Sequence, residues 1–100
     1  MNIMYETKVV YKITYPNGKI YVGKDLTNDI NYFGSANASI IEKDFSIEQR
    51  KSFVIKREIL FESFDDKEIN KKEVELIRFF RSNDLVVGYN KWPSFKVSAK

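Results

Sequence analysis

Apolar and polar positions along the chain change period several times, and each change marks an element. Val9, Val10, Tyr11, Ile13 and Tyr15 form a β-branched and aromatic run, and Ile20, Tyr21 and Val22 form a second. Between them lies Tyr15-Pro16-Asn17-Gly18-Lys19. Proline cannot donate a ladder hydrogen bond, so Pro16 belongs to the turn. Pro, Asn and Gly in that order suit a type I turn followed by a left-handed glycine bulge. Such a loop pairs Tyr15 with Lys19, sets Ile13 opposite Tyr21 and Tyr11 opposite Gly23, and brings both tyrosines to one face. A two-residue Asn-Gly turn would slip the register by one and separate them.

The stretch Asp25 to Ser35 is rich in turn formers and reads as a loop whose Tyr32-Phe33-Gly34 docks on the sheet. Ser35 to Phe45 reads as a short helix with Ile40, Ile41 and Phe45 inward. Ser46 and Gln49 have the spacing of a capping box. Ser52 to Phe64 reads as the third strand, with Phe53, Ile55, Ile59 and Phe61 alternating and Arg57 at the same phase. Asp65 and Asp66 cap a helix that runs to about Arg81 or Ser82 and ends at Asn83-Asp84. An irregular segment with Gly88-Tyr89-Asn90 and Pro93 follows. The order predicts an α+β domain, residues 1–100, with a small three-stranded antiparallel sheet flanked by helices.

Within the last helix, one residue breaks the pattern. At about 100° per residue, Ile69, Leu76, Ile77 and Phe80 centre the apolar stripe, with Val74 and Phe79 on its flanks. Glu73 falls near that centre, where burial of a carboxylate is unfavourable unless it is paired or bound to a cation. Its alternatives are a metal ligand or a salt bridge to the sheet. Glu75 lies off the stripe, as a solvated charge would. Arg57, at an apolar strand phase, calls for an anionic partner: a phosphate, or Glu73 itself.

Composition narrows the chemistry. The chain has no cysteine and no histidine. That excludes disulfides, thiolate-bound zinc and histidine-based acid–base or nucleophilic schemes, leaving Tyr, Lys, Arg, Asp or Glu with a hard metal ion on carboxylate. The net charge is +3, and three of the 17 basic residues, Lys91, Lys96 and Lys100, lie in a tail over residues 91–100 that holds no acid. Beside Trp92 and Phe95, that tail suits phosphates and stacked bases, or is a solvated terminus. No stretch has the run of about 18 apolar residues that a membrane span needs, and no cleavable leader opens the chain, so no membrane partner and a cytoplasmic location are expected.

The strings Val9-Val10-Tyr11 and Tyr21-Val22-Gly23, about ten residues apart, then Glu73 with Leu76 and Ile77, then Gly88-Tyr89-Asn90, resemble the motif set of the GIY-YIG nuclease family, with valines where the family has Gly-Ile. The resemblance covers nearly the whole chain. It implies a DNA endonuclease that hydrolyses phosphodiester bonds with Mg²⁺ or Mn²⁺, the ion being held by Glu73, with Glu75 as the fallback. It makes Tyr11 a general base, its pKa lowered by the metal or by Lys12 or Lys24, and makes Tyr21 a hydrogen-bond partner of water or phosphate. Gly23, Lys24, Asn90 and Lys91 would meet the substrate. The family's phosphate-holding arginine soon after the second tripeptide has no counterpart, since no arginine occurs between Gly23 and Gln49. Arg50 and Arg57 are the first candidates, with Lys24 or Lys43 as substitutes. Specificity would come from the domain itself, a homodimer or a separate DNA-targeting partner. The rival expectation is a non-catalytic module for nucleic acid or protein on the same scaffold.

Overall fold

The structure, a computed structural model, describes residues 7–95. Strands β1 (Lys8–Thr14), β2 (Ile20–Asp25) and β3 (Lys56–Ser63) form one antiparallel sheet in the order β2-β1-β3. Helices α1 (Ala38–Lys43) and α2 (Ile47–Arg50) lie between β2 and β3, and α3 (Asp66–Phe80) follows β3. The fold is therefore α+β, with a small sheet and three helices. Among the described residues, no helix is long and apolar enough to cross a membrane.

The hairpin has the predicted bulged turn. The Tyr15 N–H donates to the Lys19 carbonyl at 2.9 Å, the Gly18 N–H to the Tyr15 carbonyl at 2.9 Å, and Gly18 has φ 87°. The Ile13–Tyr21 and Tyr11–Gly23 pairs follow. β1 is the central strand, and its apolar run is continuous because both faces are covered. One face places Tyr11, Ile13 and Tyr15 with Phe45 and Tyr89; the other places Val10 and Val22 against Ile69 and Ile77 of α3.

The third strand departs from its expected phase. It begins at Lys56, so Phe53 and Ile55 precede it, and the register against β1 shifts between Val10 and Tyr11. Val10 pairs with Phe61 and Tyr11 with Ile59, leaving Leu60 as an extra residue. A bulge of this kind turns the two halves of a strand to opposite faces. Arg57 and Ile59 share the tyrosine face, while Phe61 joins the α3 face.

The helix boundaries follow their caps. α3 starts where the Asp65 carboxylate accepts from the Lys67 N–H, and it ends at Arg81 in the left-handed region. α1 is shorter than expected because the Asn37 side chain accepts from the Ser39 and Ile40 N–H groups, so residues 35–36 stay extended. The capping box of Ser46 and Gln49 is formed on α2. Tyr32 packs edge-on to Tyr11 with ring centroids 5.8 Å apart, as the docking loop requires, whereas Phe33 is exposed.

The segment after α3 closes the β2 edge. Ile20 forms a parallel bridge with Gly88: the Ile20 N–H donates to the Val87 carbonyl at 3.1 Å and the Tyr89 N–H to the Ile20 carbonyl at 2.9 Å. Gly88 must lack a side chain here, because a Cβ would collide with the Ile20 carbonyl and lie 2.6 Å from the Ser82 carbonyl, both main chain. One step further, the carboxamide of Asn90 acts as a stretch of strand. Its Oδ1 accepts from the Val22 N–H and its Nδ2 donates to the Val22 carbonyl, each at 2.8 Å. Removing that carboxamide leaves two buried main-chain groups unpaired, at about 1–3 kcal/mol each. Asn90→Ala is accordingly expected to lose several kcal/mol of stability in urea unfolding, well beyond an ordinary surface truncation.

Candidate functional site

Closure of the β2 edge makes a cleft. A cavity of about 400 Å³ is lined by Tyr21, Glu73, Asn90, Lys91 and Trp92, with Ser35, Asn37 and Tyr89 completing its walls. Four elements meet there: β2 supplies Tyr21, α3 supplies Glu73, the loop before α1 supplies Ser35 and Asn37, and the closing segment supplies the rest.

Glu73 is half-buried at this rim, and no ion pair forms on it among the described residues. Burial pushes its carboxyl above the usual carboxylate range, and the nearby charge of Lys24 offsets part of that rise. Lys24 itself donates to Asn70 on α3. The salt-bridge alternative for Glu73 is thus a longer-range attraction. Glu75 is exposed, pairs with Lys72 at 2.9 Å and lines a different, shallow cavity, so it is not a substitute for Glu73.

Tyr11 lies behind the cleft wall. It is 1% exposed and packs on Tyr21 and Tyr32 with centroids 6.4 and 5.8 Å away. Burial first, then the neighbouring Tyr32, Tyr21 and Glu73, push its phenol well above the ordinary tyrosine value. Neither Lys12 nor Lys24 offsets this rise. Lys12 faces the other side of the sheet, between Glu58 at 3.4 Å and the Phe80 ring, and is no neighbour of that hydroxyl. Tyr21 is also shifted upward by burial, against a hydrogen bond with Ser35 that opposes the shift. Burial thus favours the protonated form of both phenols.

Gly23 has a packing role. It is buried directly under Tyr11, where a Cβ would lie 2.7 Å from Tyr11 Cζ and 3.0 Å from Tyr21 Cε2, and would collide with the Tyr11 hydroxyl. Its smallness lets the two rings cross the strand.

The arginines are placed away from the cleft. Arg57 packs behind Tyr11, its guanidinium 5.9 Å from that ring, and Nη2 lies 3.9 Å from Asp25 Oδ2. Their side chains are only 13% and 5% exposed. Among the described residues the anionic partner of Arg57 is Asp25 rather than Glu73. Burial alone would raise the Asp25 carboxyl. Hydrogen bonds from the Thr27 hydroxyl and from the main-chain N–H groups of Thr27, Asp29 and Asn28 together hold it below the usual range. Arg50 serves the end of α1: Nε donates to the Phe45 carbonyl at 3.1 Å and Nη2 to the Glu42 carbonyl at 2.6 Å, beside a separate apolar cavity. Lys91 lines the cleft, and Lys24, held by Asn70, contributes its charge at Glu73.

Four of the expected residues therefore converge: Tyr21, Glu73, Asn90 and Lys91. Ser35, Asn37 and Asp25 were not expected. Asn37 carries a helix-cap signal and Asp25-Leu26-Thr27 an Asx-turn signal, but neither indicates what the residue lies beside. The donor set is oxygen only, with one carboxylate; among the described residues no three Asp or Glu gather around one point. That suits Mg²⁺ or Mn²⁺, which keep several waters and take phosphate oxygens beside one or two carboxylates.

Two expectations follow from this geometry. Gly23→Ala must drive Tyr11 and Tyr21 apart and is expected to cost about 1–3 kcal/mol in urea unfolding. Tyr11→Phe, which removes the colliding hydroxyl, should recover part of that loss in the double variant. For Glu73, the folded chain binds the proton more tightly than the unfolded chain, so ionising the carboxyl works against folding. That penalty is absent at about pH 3, where both states are protonated, grows as pH rises past the usual carboxylate range, and is complete near pH 7. Glu73→Gln should therefore raise Tm near pH 7 and leave it unchanged near pH 3 in thermal scans. No family model matches this chain, nor does any curated protein or solved structure.

Proposed function

We infer that the protein is a metal-dependent phosphodiester hydrolase acting on DNA, with Glu73 as the carboxylate that holds the cation. The observation that carries this reading is the convergence of Tyr21, Glu73, Asn90 and Lys91 on one cleft, with Lys24 beside it. An anionic group half-buried without an ion pair is suited to a divalent ion, and lysines on the same rim suit a phosphate. A Mg²⁺ or Mn²⁺ ion bound there would supply Lewis-acid polarisation of a phosphoryl oxygen.

The chain's own groups have defined parts in this scheme. Tyr21, its phenol kept protonated by burial, donates a hydrogen bond to a phosphate oxygen. Lys91 and Lys24 hold the backbone by charge. Tyr11 fixes the ring of Tyr21 from behind and keeps its own proton; Arg57, neutralised by Asp25, holds Tyr11 in turn. Asn90 is a positioning residue whose carboxamide is committed to Val22.

A non-catalytic nucleic-acid-binding module is the second reading. The upward-shifted phenol of Tyr11 and the placement of both Arg50 and Arg57 outside the cleft favour it. A supercoiled-plasmid nicking assay with Mg²⁺ or Mn²⁺ separates the two. The hydrolase reading expects nicking that Glu73→Gln abolishes, with DNA binding in chelator unchanged or tighter because a negative charge is gone. Binding with no nicking by the unmodified chain in either metal leaves the module.

A further inference from the structure

Trp92 is the wall between two clefts. On one side lies the cleft of Tyr21, Glu73 and Lys91. On the other lies a cavity of about 600 Å³ lined by Arg78, Asn83, Trp92, Pro93, Ser94 and Phe95. The indole is 65% exposed, so it is not there to fill the core. Yet the segment that carries it is anchored on both sides. Asn90 is tied to Val22 just before it, and the Asn83 Nδ2 donates to the Pro93 carbonyl at 2.7 Å just after it. An exposed aromatic ring on a fixed main chain is a prepared stacking surface, since little main-chain freedom remains to be lost on binding.

The second cleft, like the first, sets a cation near aromatic rings. Phe95 lies under the Arg81 guanidinium, 5.2 Å from its ring centroid. Arg81 also reaches Asp84 at 3.6 Å, which leaves it partly neutralised. Arg78 has no side-chain hydrogen bond or ion pair among the described residues, and it lines the cleft floor. Along one path the surface therefore presents Lys91, an open indole, a free guanidinium and a second aromatic ring. Alternation of cations with aromatic faces fits a polynucleotide whose bases are unstacked. A duplex keeps its base faces covered, so it has nothing to offer the indole.

We propose that the strand leaving the first cleft crosses Trp92 unpaired, one base stacked on the indole and the next phosphates held by Arg78, so that the preferred ligand is DNA with a single-stranded arm beside the point bound at Glu73. The proposal rests on the hydrolase reading only for what happens at Glu73; the stacking itself needs no metal.

Trp92 is the only tryptophan in the chain, so its fluorescence reports the contact directly. The full chain, in chelator, is titrated with an oligothymidylate of about ten nucleotides, with a blunt duplex of the same length, and with that duplex carrying an unpaired arm. Saturable quenching by the single strand and the armed duplex, and little by the blunt duplex, is expected. By anisotropy, Trp92→Ala should weaken binding of the single strand by roughly fivefold to a hundredfold. Trp92→Phe should retain most of it, and this variant also guards against a simple folding defect. Arg78→Ala should weaken both ligands and lower the salt dependence by about one charge. Equal quenching by blunt duplex and single strand, or no quenching by either, overturns the proposal. Quenching without nicking in Mg²⁺ supports the stacking track while removing the hydrolase; nicking without quenching keeps the hydrolase and removes the track.

Discussion

The pair of hydrogen bonds between the Asn90 carboxamide and the main chain of Val22 is the contact on which the cleft depends. β2 is an edge strand, and an edge leaves a row of N–H and C=O groups to be satisfied. Residues 87–90 satisfy them, first through main chain at Ile20 and then through a side chain at Val22. The handover matters. A main-chain continuation would keep the segment running parallel to β2, whereas a side chain ends the pairing and frees the chain to turn away. Lys91 and Trp92 emerge at that turn, opposite Glu73. The close approach of Gly88 to Ile20 and Ser82 is what brings the carboxamide within reach.

The electrostatics of the cleft are set by three neighbouring groups that each oppose negative charge on the others. Tyr11 and Tyr21 both feel Glu73, and all three are shifted upward, chiefly by burial. Among the described residues, Lys24 is the cation whose charge is felt at Glu73, and it relieves that group only in part. A positive ion at this point would favour the ionised form of Glu73, while the phenols, with an ordinary pKa of about 10 raised further by burial, keep their protons near pH 7. The protein has meanwhile spent Arg57 on Asp25 and Arg50 on the carbonyls of α1. These two guanidinium groups are thus committed to architecture, and the cleft is left with a carboxylate that has no ion pair among the described residues, near Lys24 and Lys91.

Much of this was legible in local sequence, and what was not has a common cause. The Pro-Asn-Gly turn set the hairpin register, hence the common face of Tyr11 and Tyr21, because turn geometry and strand period are both local. The Asp65 cap and the apolar spacing around Glu73 located α3 and its carboxylate for the same reason. The bulge at Leu60 has no local signature: apolar Ile59 and Phe61 flank it, with Glu58 and Glu62 beyond, and only the pairing with Val10 and Tyr11 shows that one residue is extra. Reading straight through it gave Arg57 the phase of Phe61 and a wrong partner. The Arg57–Asp25 and Asn90–Val22 contacts join residues far apart in sequence, where residue type alone states a need for a partner and not which partner meets it. Burial of Tyr11 belongs to the same class, since it is the work of Tyr32, Gly23 and Gly34 together.

The same arrangement limits how a large partner can be engaged. Strand addition needs a free, flat edge. The β2 edge is occupied by residues 87–90. The β3 edge is bulged at Leu60 and carries Lys56, Glu58 and Glu62, the features by which sheet proteins discourage edge pairing. α3 covers one face of the sheet, and the tyrosine cluster with the segment around α1 covers the other. What remains is side-chain recognition at the rim where β2, α3 and the closing segment meet. A ligand there meets groups from four parts of the chain, so a shift in any one of them alters the whole surface. That is why Gly23, which lets the two rings cross, and the carboxamide of Asn90, committed to Val22, have as much bearing on the site as Glu73 itself.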